Sequence, residues 1–271
     1  MKALKLKIYQ PHAHYRIPFT YQRRHTYPIP PYSTVIGLLC NILGIRNIEG
    51  KEEPCMNQNC SCDYHKLKNI KISICGKFES KTTEYIWFRN LSEKSHNDRF
   101  GFSENRNIFG YTEHPGGQLP ILIDILNDVN LWIYFYHEEQ NFLEKIKNSF
   151  ENPQDRIYPL HLGRAEDWMV IQEINFVNLE ETDYGGDFKR FFWIPKNCLL
   201  PNNSNFDFEK FGGILYKIPT FYKLLNGRRD FVYIDAKLND GEINLSKTNI
   251  KLFYDKNENI PVFLTDLKGV K

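Results

Sequence analysis

The sequence predicts an α+β protein in two parts, an α+β domain over residues 1–163 and a mainly β region over 164–271. Three observations carry that expectation. Leu4, Leu6 and Ile8 alternate with Lys5 and Lys7, the period of a strand with one face buried. Apolar residues at 35, 38, 39, 42 and 43 line one face of a helix instead. After Gly163 the chain breaks into short apolar runs separated by turns, including Trp168 to Phe176, Phe191 to Ile194 and Phe231 to Ala236.

Between the first strand and the helix lies an aromatic and basic connection that ends in Pro28-Ile29-Pro30-Pro31. Ser33 or Thr34 is placed to cap the helix, and Gly44 to end it. Ile70, Ile72 and Ile74 mark a second strand, and Tyr85 to Phe88 a third. Leu131 to Tyr136 reads as buried strand, whereas Leu119 to Ile125 is a run that periodicity leaves open between strand and helix. Residues 138–150 fit an amphipathic helix closed by Asn152-Pro153, and Tyr158 to Gly163 reads as a strand. Strand–helix–strand–strand–helix–strand is the ferredoxin-like order, a common platform for RNA binding. Residues 46–69 and 93–118 interrupt it as insertions, and loops of that length are usually functional or disordered. No internal repeat is present.

Composition narrows the class. With 271 residues the chain makes one large domain or two small ones, and 15% aromatic residues argue against disorder. Lysines interrupt the first seven residues, so no signal-peptide core forms there, and the longest apolar stretch, Val35 to Ile45, is too short to span a bilayer. A soluble, cytoplasmic protein is expected. The net charge of +2 hides an asymmetry: residues 1–48 hold seven Lys/Arg and no acid, a net of +7, and the remainder carries −5. Cations interleaved with rings suit a phosphate backbone with exposed bases, although a solvated basic face over core aromatics has the same composition. No G-x-x-x-x-G-K-[ST] loop is present, nor a carboxylate set spaced for two metals.

Two motifs stand out. Arg23-Arg24-His25-Thr26-Tyr27-Pro28-Ile29-Pro30-Pro31-Tyr32-Ser33-Thr34 is a proline-stiffened basic loop feeding a helix start, where first-turn amides favour a phosphate. Tyr158-Pro159-Leu160-His161-Leu162-Gly163-Arg164 ends in a glycine that permits close backbone approach and an arginine that can bind bidentately. Together they resemble the Cas-five family of CRISPR-associated proteins, in the RAMP superfamily: the first matches its proline-serine-threonine helix entry, the second its leucine-glycine-arginine turn. The details are most similar to the subunit of type I-B complexes.

The resemblance implies an RRM-like RAMP domain and a non-catalytic subunit of Cascade, the RNA-guided complex of antiviral defence. It implies contacts with the repeat-derived 5′ handle of the guide RNA, the large subunit and the first backbone subunit; target DNA would be met through the assembled complex. It also implies a finger-like hairpin, assigned here to residues 93–118, with Phe100, Phe102, Phe109 and Tyr111 beside bases and Arg99 and Arg106 on phosphates. The expected RNA contacts are therefore Arg23, Arg24, His25, Tyr27, Ser33, Thr34, Arg99, Phe100, Arg106, Phe109, Gly163 and Arg164, with no cofactor.

Two other functions compete. A metal-independent ribonuclease needs a base and an acid, for which His25, Tyr27, His114 and His161 are candidates. Cas-five relatives of the I-C branch use a tyrosine, a lysine and a histidine, but none of the eight histidines here follows a lysine, and His65-Lys66 lies in the first insertion. The other is a general single-strand binder without a fixed complex. Cys55, Cys60, Cys62 and His65 are zinc-type ligands, but their spacing is not the usual pair of C-x2-C knuckles, and a variable insertion that happens to be cysteine-rich is the simpler account, so no metal site is expected. Cys40, Cys75 and Cys198 read as buried small hydrophobes.

Overall fold

The computed structural model describes residues 1–18, 20, 22–57, 59–90, 107–108, 111–112, 117–183, 185–201, 207–244 and 250–269. The chain is mixed α/β, mostly strand with few helices. Strand β1 (Lys2–Ala13) buries Leu4, Leu6 and Ile8 as the alternation predicts, but its other face is covered as well. Lys5 is 3% exposed, its ammonium held between Glu173 at 3.0 Å and Glu258 at 3.1 Å. Two carboxylates replace the lost water, which makes a lysine tolerable at that depth.

Short strands β2 (Tyr15–Arg16), β3 (Arg23–Arg24) and β4 (Thr26–Tyr27) shape the connection to α1 (Tyr32–Ile42). No side chain caps α1. Its cap residue is Pro31, at φ −69°, whose carbonyl accepts the Thr34 N–H at 3.0 Å. Ser33 and Thr34 thus sit within the first turn, which corrects the expected cap; the proline's pre-set φ decides where the helix opens. Gly44 ends the helix as expected, at φ +69°, with the Ile45 N–H on the Cys40 carbonyl and the Gly44 N–H on the Asn41 carbonyl. That bond pair is a Schellman motif.

The chain continues through α2 (Asp63–Leu67), β5 (Lys71–Lys77), β6 (Ser80–Asn90), β7 (Asn107–Ile108), β8 (Tyr111–Thr112), β9 (Gly117–Tyr136), α3 (Gln140–Glu151) and β10 (Val170–Asn178). Residues 119–125 and 131–136 belong to one 20-residue strand, β9. Asp128, at φ +53°, marks where its partner changes from β6 to β5. α3 buries Phe142, Leu143, Ile146 and Phe150, the face read from the sequence.

Tyr158 to Gly163 is not a strand; among the described residues its only ladder contact is an isolated bridge from His161 to Trp168. Side chains satisfy this segment instead. Asn41 of α1 accepts the Ile157 and Tyr158 N–H groups at 3.1 and 2.7 Å and donates to the Tyr158 carbonyl, while Gln10 donates to the Leu162 carbonyl at 2.9 Å. The strand beside β1 is β10, so the four central strands run β10-β1-β9-β5 with every neighbour antiparallel.

Beyond follow β11 (Glu180–Thr182), β12 (Gly186–Asp187), β13 (Phe191–Pro195), β14 (Ile214–Leu225), β15 (Arg228–Asn239), β16 (Glu242–Ile243), β17 (Leu252–Asp255), β18 (Ile260–Val262) and β19 (Thr265–Asp266). β13, β15 and β14 extend the sheet from the edge of β5, so strands on both sides of residue 163 share it. One core packs α1 and α3 with Leu4, Leu6, Ile8 and Trp193. A second core sets Ala3, Cys75, Trp132 and Tyr134 against Phe188, Phe192, Phe263 and their neighbours. Burial pushes the Cys40 thiol up to about 12 and raises those of Cys75 and Cys198. Among the described residues no helix is long and apolar enough to cross a membrane.

Candidate nucleic-acid interface

One exposed feature is an arm in which β6 pairs with the first half of β9, flanked on the far side of β9 by β3. In a ladder, directly opposed residues share a face. Thr83 opposes Asp124, and Tyr85 opposes Leu122. Two positions along from Tyr85, Trp87 shares its face by the period of the strand. Tyr85 and Trp87 are 59% and 61% exposed, edge to face at 6.0 Å.

Beside them stands a charged cluster built on Asp124, a carboxylate only 1% exposed. The Arg23 guanidinium reaches it at 3.2 Å, His25 Nδ1 lies 2.9 Å from it, and the Thr83 hydroxyl donates at 3.0 Å. Lys81 is 3.8 Å away. Burial alone would raise the carboxyl pKa; hydrogen bonds from His25, Thr83 and Arg23 outweigh it and hold Asp124 below its ordinary value. The carboxylate fixes the inner edges of Arg23 and His25, whose side chains stay 50% and 46% exposed. One acid beneath three basic side chains leaves a positive rim beside two open rings. Such a face can stack bases and neutralise phosphates.

A second site forms where the two sequence motifs meet. Ser33, Thr34 and Gly37 of α1, His161, Gly163 and Arg229 line a cleft of about 660 Å³. Gly163 has φ +112°, and a Cβ there would stand 2.7 Å from Asp167 Oδ2 and 2.9 Å from the His14 carbonyl, so only glycine fits. Asp167 is fully buried; it accepts the His14 and Arg164 backbone N–H groups at 2.9 and 2.8 Å and the Arg164 side chain at 2.8 and 3.0 Å. Burial, assisted by the nearby Arg164, depresses the His14 pKa.

The sequence-predicted contacts thus fall into several groups. Arg23 and His25 come together on Asp124, whereas Ser33 and Thr34 join Gly163 in the cleft. Arg24 is half-buried in β3. Arg164 is committed to the buried Asp167, with its side chain 19% exposed, and its guanidinium serves the turn rather than an open surface. Tyr27 is 3% exposed, packed edge-on against Trp193 and Tyr216, and burial takes its hydroxyl up to about 12. At that depth the ring serves the core rather than an open surface. Arg99, Phe100, Phe102, Arg106, Phe109 and His114 lie outside the described residues. Lys81, Tyr85, Trp87 and Asp124 escaped the sequence reading; the alternation of Lys81, Thr83, Tyr85 and Trp87 was the signal that pointed to them.

The basic segment is also less free than its charge suggests. Lys5 and Lys7 meet Glu258 at 3.1 and 3.7 Å, and Arg23 meets Asp124, acids far away in sequence. Of its cations, Lys2, Arg16, Arg23 and Arg46 stay exposed.

The fold itself is shared with solved structures. A chain of the structure described as "CRISPR RNA-guided surveillance complex" aligns with a TM-score of 0.53 at 11% identity, covering 89% of this chain and 90% of that one. The family model described as CRISPR-associated protein (Cas_Cas5) matches residues 3–112. Two further structures align over nearly the whole chain, "Crystal structure of Cas protein" (TM-score 0.46, 13% identity, 96% and 98% covered) and a CRISPR protein from Archaeoglobus fulgidus (0.42, 11%, 97% and 99%). No curated protein matches in sequence.

Proposed function

We propose that the chain is a non-catalytic Cas5 subunit of a type I Cascade complex, most similar to the I-B form, which holds the 5′ handle of the guide RNA and contacts the backbone and large subunits in the cytoplasm. The antiparallel order β10-β1-β9-β5, with α1 and α3 as crossovers, supports a ferredoxin-like RAMP platform. The observation that carries the reading is the arm, where Arg23, His25 and Lys81 flank the open rings of Tyr85 and Trp87. The competing ribonuclease reading loses one of its candidates, because Tyr27 is buried and its hydroxyl is harder to ionise.

The test is handle-RNA binding by the chain, alone and assembled with backbone and large subunits, measured against salt. Lys81→Ala and Arg23→Ala should each lower the slope of log affinity against log salt by about one. Unchanged slopes in both variants overturn the assignment of the arm. Cleavage of repeat RNA, abolished by His25→Ala, would make the chain a ribonuclease instead; equal affinity for unrelated RNA would make it a general single-strand binder.

A further inference from the structure

The insertion at residues 46–69 contains a cluster that the RNA-binding reading does not use. Between the end of α1 and the start of α2 the described residues form no helix or strand. In this stretch Ile48 and Met56 are 48% and 53% exposed, and the buried apolar anchors of the insertion, Tyr64 and Leu67, come only with α2. At its centre the Asn57 carbonyl accepts the Cys60 N–H at 3.1 Å, and the Asn57 side chain accepts the Asn59 N–H. That turn brings Cys60 back towards Cys55. Cys62 immediately precedes α2 and His65 lies three residues on, a spacing that puts both on one side of the turn. The outcome is four donor atoms, from Cys55, Cys60, Cys62 and His65, all within 4.8 Å of one another. Cys62 Sγ and His65 Nδ1 are 3.2 Å apart.

Three half-buried thiols gathered beside an imidazole are neither disulfide-bonded nor part of a hydrophobic core. A tetrahedral zinc with bonds of about 2.0–2.3 Å spaces its ligands about 3.3–3.8 Å apart. The donors here are close to that spacing without refolding of the backbone. We propose that Cys55, Cys60, Cys62 and His65 bind one structural zinc ion, which ties the insertion into a wall of the cleft over α1. Four protein ligands leave no open coordination position, so the ion is structural rather than catalytic. Binding releases the three thiol protons to solvent, since the thiolate is the ligand.

The insertion is placed to transmit that order. Pro54 and Tyr64, beside the ligands, line the cleft. Glu53 pairs with Lys68 at 2.7 Å, and the Glu52 carbonyl accepts the Leu224 N–H at 2.8 Å. Asn47 donates to the Tyr222 hydroxyl at 3.0 Å. The β14–β15 hairpin is therefore bonded to the segment the zinc would close.

The experiment is metal analysis of the full chain purified without chelators, followed by cobalt loading of the metal-free protein. About one zinc per chain is expected, with the cobalt form showing thiolate charge-transfer absorption and the intense visible bands of tetrahedral coordination. Cys60→Ser with Cys62→Ser should lose both signals. His65→Cys, which keeps four ligands, should retain them, so a folding failure in the serine variant does not decide the question. Stripping the metal should speed proteolysis between residues 46 and 62 at least tenfold. Below a tenth of a zinc per chain with no cobalt absorption, the site falls; zinc retained in the serine variant also overturns it. Equal proteolysis with and without metal overturns the clamping role.

Discussion

Asp124 and Asp167 do similar work at the two candidate surfaces, each a buried carboxylate that holds an arginine by its inner edge. Their consequences for stability can be separated. The folded-state pKa of Asp124 is depressed, so its contribution is present above the ordinary carboxylate range and is lost as pH falls through the lowered native value. Asp124→Asn should therefore destabilise the chain at neutral pH, and the gap in urea midpoint from the parent should shrink as pH drops below about 4. Asp167→Ala strands Arg164 and two backbone N–H groups, and removal of one partner from a buried pair costs on the order of 3 kcal/mol. Gly163→Ala adds strain at φ +112° together with a clash, about 1–3 kcal/mol by denaturant titration with little change in m. The leucine-glycine-arginine turn was legible as a motif, but its reason was not. Two of its partners, Gln10 and His14, become neighbours only when the turn folds against the end of β1, while Asp167 is local to the turn.

At the scale of elements, the arm separates binding from stability. Tyr85 and Trp87 are open, so replacing them should leave the unfolding midpoint nearly unchanged. Stacking of one base on a ring contributes about 1–3 kcal/mol, so Trp87→Ala should weaken handle RNA by about 5- to 150-fold. Filter binding at fixed salt checks this, and a loss in thermal midpoint of the same variant would mean that the ring belongs to the core. Strand β6 was visible in the sequence only as the short run Tyr85 to Phe88, because its polar face hides the period from an apolar count. The helices were easier: α1 and α3 carry their apolar stripes openly, and Gly44 announced the end of α1.

Across the whole molecule, the ten-stranded sheet crosses the boundary drawn at residue 163. β10 covers one edge of the central strands and β13 the other. Trp193 of β13 is fully buried, donates to the Pro30 carbonyl at 2.9 Å and meets Tyr27 edge-on. A fragment of residues 1–163 would lose β10 and this tryptophan together, exposing apolar face and unpaired strand edge. It should fail to give dispersed amide resonances, while the full chain unfolds in one transition by fluorescence and circular dichroism. A folded fragment would show that the N-terminal part is an independent domain.

The sequence by itself determined β1, α1, β5, α3, the polar first insertion and the basic N-terminal bias, because periodicity and composition are local properties of a chain. It also supplied two motifs that resemble the Cas-five family, of which the first, Arg23 to Thr34, lies within the stretch that the family model matches. Only the tertiary structure decided which cations stay open, which ring is core and which residues share a surface. Those outcomes depend on groups more than a hundred residues apart: Lys5 with Glu258, Tyr27 with Trp193, His14 with Asp167. Burial and ion pairing are set by neighbours in space, and a linear pattern does not contain them.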